Sequence, residues 1–403
     1  MLRTQLLLVL LLVNGAVIAA PSFSGKGHVE ARQQQRIATA EGDNLGQRYE
    51  GLLEGQVNSG RLKANTILLG RYRSQYDDAT ADVRDEMRTD VELRELYLTW
   101  SADSFEIRAG KQQQAWGRAD YFRIVDVWNP LDLREFLLPY FDNYSLGRQP
   151  RGMLITDYFG DTWEQQLIIA PERKATRLAP AGSDFAVNSM PANLPAVNEE
   201  GNGLDIGWRG KTFWSGNDIE LYAFHGYHAD YMLAMKNSLL IREQPKRNMI
   251  GTSLARPLGD WVFRTDAAHY MREGRQTDVG IKDGSRTSAL MGFDRMKNEW
   301  MLNLQLAATH WYDKESNHHD VWESSISVDK NWSRYRLTTS LIWLVNLAED
   351  SSQLWRATIS YEFLPQWKAS IAGVSFVGKN STQFGQFDQQ DRIMLSLRKD
   401  FSL

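Results

Sequence analysis

Beyond its first twenty residues the chain alternates apolar and polar side chains with a period of two. In residues 354–363, Trp355, Ala357, Ile359, Tyr361 and Phe363 fall on one face and Arg356, Thr358, Ser360 and Glu362 on the other. Residues 299–306 set Trp300, Leu302, Leu304 and Leu306 against Glu299, Met301, Asn303 and Gln305. Residues 334–343 set Tyr335, Leu337, Leu341 and Trp343 against Arg334, Arg336, Thr338 and Ser340. Successive side chains of a strand point to opposite faces, so each run predicts a strand with one apolar and one polar face. A soluble sandwich alternates too, but its strands are about five or six residues long. Many runs here are roughly ten residues or longer, the length a tilted strand needs to cross a bilayer.

Candidate strands lie near 23–35, 45–57, 61–73, 90–101, 104–113, 149–159, 162–170, 202–209, 217–227, 247–256, 260–270, 285–294, 299–310, 320–329, 332–345, 353–363, 366–376 and 390–402, eighteen in all. Short connections such as Asn58-Ser59-Gly60, Ala102-Asp103 and Lys330-Asn331 alternate with long ones at 74–89, 114–148, 171–201, 228–246 and 271–284. Bacterial barrels have short periplasmic turns, longer outer loops and an even strand count. The expected fold is therefore all-β: a transmembrane antiparallel barrel of about 18 strands, with 16 as the alternative. Trp100, Trp163, Trp261, Trp300, Trp332 and Trp367 sit at strand ends, as aromatic girdles do. Closure requires strand 23–35 to pair with strand 390–402, because lipid leaves no partner for an open edge. The last strand alternates through Ile393, Leu395, Leu397, Phe401 and Leu403. It resembles the C-terminal signal read by the barrel-assembly machinery.

Residues 1–19 hold a basic start at Arg3, an apolar run at 6–13 and a small-residue exit ending at Ala19, the layout of a signal peptide. Residues 20–403 would form the mature barrel. The chain has 403 residues, a formal charge of −4, no cysteine and 14 tryptophans. Its mean hydropathy of −0.45 excludes a polytopic helical membrane protein. The missing cysteines exclude a disulfide scaffold and thiol chemistry. The negative balance argues against nucleic acid as a partner. Export without disulfides fits the outer membrane of a Gram-negative bacterium, with lipid and lipopolysaccharide as surroundings.

One stretch breaks the period. Residues 114–148 mix charges with large apolar residues that a solvated loop would not carry, and long loops of this kind are packed or functional. The expectation is a loop folded inward as a constriction or plug. Trp116, Trp128, Asn129 and Pro130 would pack it, and Asn129-Pro130-Leu131-Asp132 would cap a short helix at 131–138. Arg118, Asp120, Arg123, Asp126, Asp132, Arg134, Glu135, Arg148 and Arg151 would line a pore constriction, where rings of charge set selectivity. The competing reading makes the same charges salt bridges to wall groups such as Arg71, Arg264, Asp266, Arg334, Arg336 and Arg356.

Leu93-Arg94-Glu95-Leu96-Tyr97-Leu98, then Arg108-Ala-Gly110-Lys-Gln112-Gln-Gln-Ala-Trp116-Gly117, then Asp126-Val-Trp-Asn129-Pro130-Leu-Asp132-Leu-Arg134-Glu135 resembles a family of proteobacterial outer-membrane barrels of unknown function. Members often sit beside genes for RND-type exporters and envelope lipid-handling proteins. The Arg-Ala-Gly strand followed by Trp-Gly also looks distantly like alginate-export and phosphate-selective porins. The resemblance covers about residues 90–150 and implies fold and location more than cargo.

No histidine sits in a Gly-x-Ser-x-Gly setting, and His318-His319-Asp320 on an outer loop is weak as a metal site. No catalytic residue, metal or cofactor is assigned, and no enzyme is expected. The first functional expectation is a porin-like channel for a hydrophilic or amphiphilic solute. The second is a partner-dependent component of an envelope lipid or polysaccharide transport system, working with a periplasmic or inner-membrane exporter. The third is a plugged structural barrel.

Overall fold

Alternation becomes strand wherever a residue turns its apolar neighbour to lipid and itself to the lumen. The computed structural model describes residues 20–37, 43–187, 203–236, 239–277, 280–312, 320–332, 336–348 and 350–403. Eighteen strands follow one another: β1 (Ser22–Arg36), β2 (Asn44–Ser59), β3 (Leu62–Arg73), β4 (Thr89–Ser101), β5 (Phe105–Gln112), β6 (Arg151–Phe159), β7 (Glu164–Ala170), β8 (Asp205–Trp214), β9 (Asn217–Tyr227), β10 (Lys246–Leu258), β11 (Trp261–Thr277), β12 (Gly280–Lys297), β13 (Trp300–Trp311), β14 (Asp320–Trp332), β15 (Leu337–Asn346), β16 (Ser352–Leu364), β17 (Trp367–Val377) and β18 (Arg392–Ser402). Each pairs antiparallel with the next. β18 pairs back onto β1, from Lys26↔Ser402 to Arg36↔Arg392, and closes the barrel. All eighteen expected strands form, and sixteen is excluded.

The two faces differ as the alternation requires. On β16, Trp355, Ile359, Tyr361 and Phe363 are exposed on the outside, while Leu354 and Arg356 are buried inside. Trp100, Trp163, Trp300 and Trp332 are exposed outward, whereas Trp116 and Trp128 are buried in the interior. Among the described residues no helix is long and apolar enough to cross a membrane; the barrel crosses with strands.

Two expectations need correction, and a third gains detail. Residues 271–284 are not a long loop: β11 and β12 stay paired out to Thr277↔Gly280. Beyond the bilayer the outer face needs no apolar residues, so pairing persists where alternation fades. The 228–246 connection contains a hairpin, Met232–Lys236 with Leu239–Glu243. The helix expected at 131–138 instead occupies Leu138–Asp142 (α2), with proline in its first turn. Asp132 is not its cap; Asp132 and Leu133 pair in parallel with Arg177 and Leu178. Connection 74–88 carries the other short helix, α1 (Ala81–Met87). Residues 1–19, His318, His319 and Arg334 lie outside the described residues.

Candidate functional site: a segment tethered inside the barrel

Gln112 of β5 and Arg151 of β6 face each other in register. Residues 113–150 therefore leave and return at one point of the long-loop rim, and their length is spent inside the lumen. Three apolar contacts hold them there. Trp116, Ile124, Val125 and Trp128 pack against Ile155 and Ile168 of β6 and β7 and against Phe224 and Met249 of β9 and β10. Phe136, Leu138 and Phe141 pack on the far wall, against Ile342, Leu354 and Phe376 of β15–β17 and against Phe185, Phe384 and Phe387 from the outer loops. Leu146 seats on Leu52 and Leu69 of β2 and β3.

Two glycines make the first contact fit. A Cβ on Gly207 of β8 would stand 2.5 Å from Trp128 and 2.7 Å from Trp116, whose rings meet edge-on at 5.2 Å. Gly117 has φ +90°, and a Cβ there would stand 2.7 Å from the Asp266 carboxylate. That left-handed turn, easy only for glycine, lets the Arg118 and Ala119 N–H groups donate to Asp266 at 2.8 and 3.0 Å.

Charge pairs complete the attachment. Arg118 donates to Asp218 and Glu220 of β9 at 2.5 and 2.7 Å. Asp120 accepts from Arg264 of β11 at 2.7 Å and from Asn303 and Gln305 of β13 at 2.8 Å each. Arg134 donates to Asp90 of β4 at 2.8 Å and to Asp132 at 2.6 Å. Glu135 accepts from Arg73 at 2.7 Å and Arg48 at 3.3 Å. Asp142 accepts from Arg32 of β1 at 2.8 Å and from Arg356 of β16. Arg123 and Arg148 both reach Asp126, at 3.4 and 3.0 Å, and these pairs stay within the segment. Arg151 opens β6 and bonds Asp205 at 2.7 Å. Asn129 is a fully buried brace: its Oδ1 accepts from the Gln114 N–H, and its Nδ2 donates to the Gln149 carbonyl, each at 2.8 Å. The Pro130 carbonyl accepts from the Gln149 N–H at 2.8 Å.

The nine charged residues expected at a constriction thus do not form one ring; they divide among separate walls and pairs. Of the suggested wall partners, Arg264, Asp266 and Arg356 meet the segment, whereas Arg71 bonds Glu50 at 2.7 Å. Asp142, Arg32, Arg48, Arg73, Asp90, Asp218 and Glu220 complete the tethers. Each of the wall residues occupies a polar-face position of its strand, which was the available sequence signal.

Burial pushes the Asp142 carboxyl up, but Arg32 and Arg356 outweigh it and hold it at about 2. Burial likewise opposes ionisation of Glu135, and Arg48 and Arg73 hold it well below the usual carboxylate range. A carboxyl more acidic in the folded chain stabilises it fully above its ordinary value (3.8 for Asp142) and loses that contribution only as pH falls through the folded value. The Asp142 and Glu135 tethers should therefore survive from neutral pH down to about pH 4. Single-channel current levels and noise recorded over that range should not change; release of the segment at mildly acidic pH would contradict the assignment.

Residues 55–402 match the model of a family described as "Protein of unknown function (DUF1302)". The chain belongs to this family. No curated protein matches it in sequence. Its fold is similar to that of solved porins. OpdK of Pseudomonas aeruginosa is 9% identical, with a TM-score of 0.56 over 95% of this chain and 99% of that one. OccAB3 of Acinetobacter baumannii is 10% identical, with a TM-score of 0.55 over 95% and 100%. A BenF-like porin of Pseudomonas fluorescens is 8% identical, with a TM-score of 0.54 over 95% and 98%. At such identities the likeness is one of fold: this DUF1302 member is a porin-like β-barrel.

Proposed function

We propose that the chain is an outer-membrane channel for a hydrophilic or amphiphilic solute, narrowed by residues 113–150. The observation carrying this reading is the segment bonded to opposite walls of an eighteen-stranded barrel, from Arg264 and Asn303 on one side to Arg32 and Arg356 on the other. A barrel of this size encloses an aqueous lumen unless something fills it. The apolar exterior would be solvated by outer-membrane lipid and lipopolysaccharide, and β18 would be offered to the barrel-assembly machinery. Purified protein in planar bilayers should give stepwise currents, and liposomes containing it should swell in small sugars. Absence of both would overturn the channel reading. A second reading, a barrel that conducts only with a periplasmic or inner-membrane exporter bound, is favoured by the packing of Phe136 with Phe185, Phe384 and Phe387 across the outer mouth. It expects silence from the isolated protein and currents once the partner is restored.

A further inference from the structure

The segment's tyrosines and one stripe of the wall are not accounted for by tethering. Tyr144 is 44% exposed although it lies inside the barrel, where no lipid reaches it. Its ring lies 6.1 Å from that of Tyr121, which lies 6.1 Å from Phe141. These three rings give the segment an aromatic underside, and the Tyr121 hydroxyl lies toward Ser327 of β14. The Phe141 ring sits under the Arg356 guanidinium, 5.6 Å from its centroid.

Cross-strand register places a hydroxyl stripe on the same wall, farther toward the short-turn rim. Asn331 faces Thr338, Thr338 faces Ser360, Ser360 faces Ser370, and Ser370 faces Ser396. Ser396 in turn faces Arg32, which bonds Asp142 of the segment. All five stripe residues are half-buried and occupy inward positions. Ser360 lies four residues along β16 from Arg356, about 13 Å toward the short-turn rim. The Ser360 and Ser370 hydroxyls bond each other at 2.8 Å, and Thr338 donates to Asn331 at 3.3 Å. Each hydroxyl keeps further donor or acceptor capacity for a solute.

An exposed aromatic face with a row of neutral hydroxyls below it matches one chemistry: linked rings with apolar C–H faces and hydroxyl edges. We propose that this vestibule, on the periplasmic side of the segment, is a saccharide-binding site. One ring of an oligosaccharide lies on Tyr144 and Tyr121, and hydroxyls of the rings that follow bond the Ser360–Ser370–Ser396 stripe. This deepens the channel reading and rests on it for the route the sugar takes.

The test uses full-length protein in detergent, titrated calorimetrically with glucose, maltotriose and cellotriose, and with benzoate as a non-saccharide ring. At least one saccharide should bind, with benzoate weaker. Tyr144→Ala should weaken saccharide binding about tenfold, the scale of one lost ring contact. Tyr144→Phe should retain most of it, and the double variant Ser360→Ala/Ser370→Ala should weaken it with Tyr144 intact. Stepwise ion currents should persist in all variants. Binding of none of the three saccharides, preference for benzoate, or wild-type affinity in either Tyr144→Ala or the double serine variant would each overturn the site. Conductance without saccharide binding removes the site and leaves the channel; saccharide binding without conductance does the reverse.

Discussion

Glu135→Ala should loosen the inward segment by about 3–5 kcal/mol, the cost of removing one partner from a buried ion pair. The carboxylate lies between Arg73 at 2.7 Å and Arg48 at 3.3 Å, and its side chain is only 10% exposed. Those two guanidinium groups are themselves almost fully buried, at 1% and 5%. Without the carboxylate they face each other across adjacent strands, Arg48↔Arg73, with Glu50 remaining at 2.7 Å from Arg48. The loss should be local, because barrel hydrogen bonds do not depend on Glu135. Amide hydrogen exchange across residues 131–142 should accelerate while the strands stay protected. Glu135→Gln should be milder, since it keeps shape and one hydrogen-bond acceptor. Unchanged protection in Glu135→Ala would show that the pairs contribute nothing to holding the segment.

Trp128→Ala should cost a similar amount, about 3–5 kcal/mol, through the cavity left by a large buried ring. Trp128 is fully buried and touches Trp116 and Phe224 edge-on, each at 5.2 Å. The opposing position, Gly207, has no side chain with which to refill the space. The effect should appear as a lower midpoint of heat-induced mobility shift on gels and as faster exchange at residues 116–128. A midpoint equal to wild type would mean that this contact does not anchor the segment.

The barrel was legible because lipid imposes a rule on every membrane-crossing strand: apolar side chains outward, polar ones toward the lumen. Leu302 and Leu304 had to face outward once Asn303 and Gln305 faced in. The rule ends at the bilayer, and so did the reading: Arg272, Glu273 and Arg275 looked like loop, yet they continue β11. The inward course of residues 114–148 was legible from Trp116, Trp128 and their apolar neighbours. The pairing of its charges was not. Arg118 meets Asp266, 148 positions away, and Asp142 meets Arg356, 214 positions away, and only closure of the barrel brings such residues together. The helix start was misplaced because Phe136 takes a left-handed φ of 50° to put its ring among Phe376, Phe384 and Phe387, a tertiary demand with no local sign.

The central claim is that the tethered segment sets the width of the lumen. The Tyr140 hydroxyl donates to the Asp120 carbonyl, so the ends of 121–139 lie close together and a short Gly-Ser linker can replace that stretch. Single-channel conductance of this excised protein, recorded beside wild type in the same salt, tests the claim most directly. An increase of at least about threefold is predicted, as expected when a barrel of this size loses its infolded obstruction; equal conductance of the two proteins would contradict it.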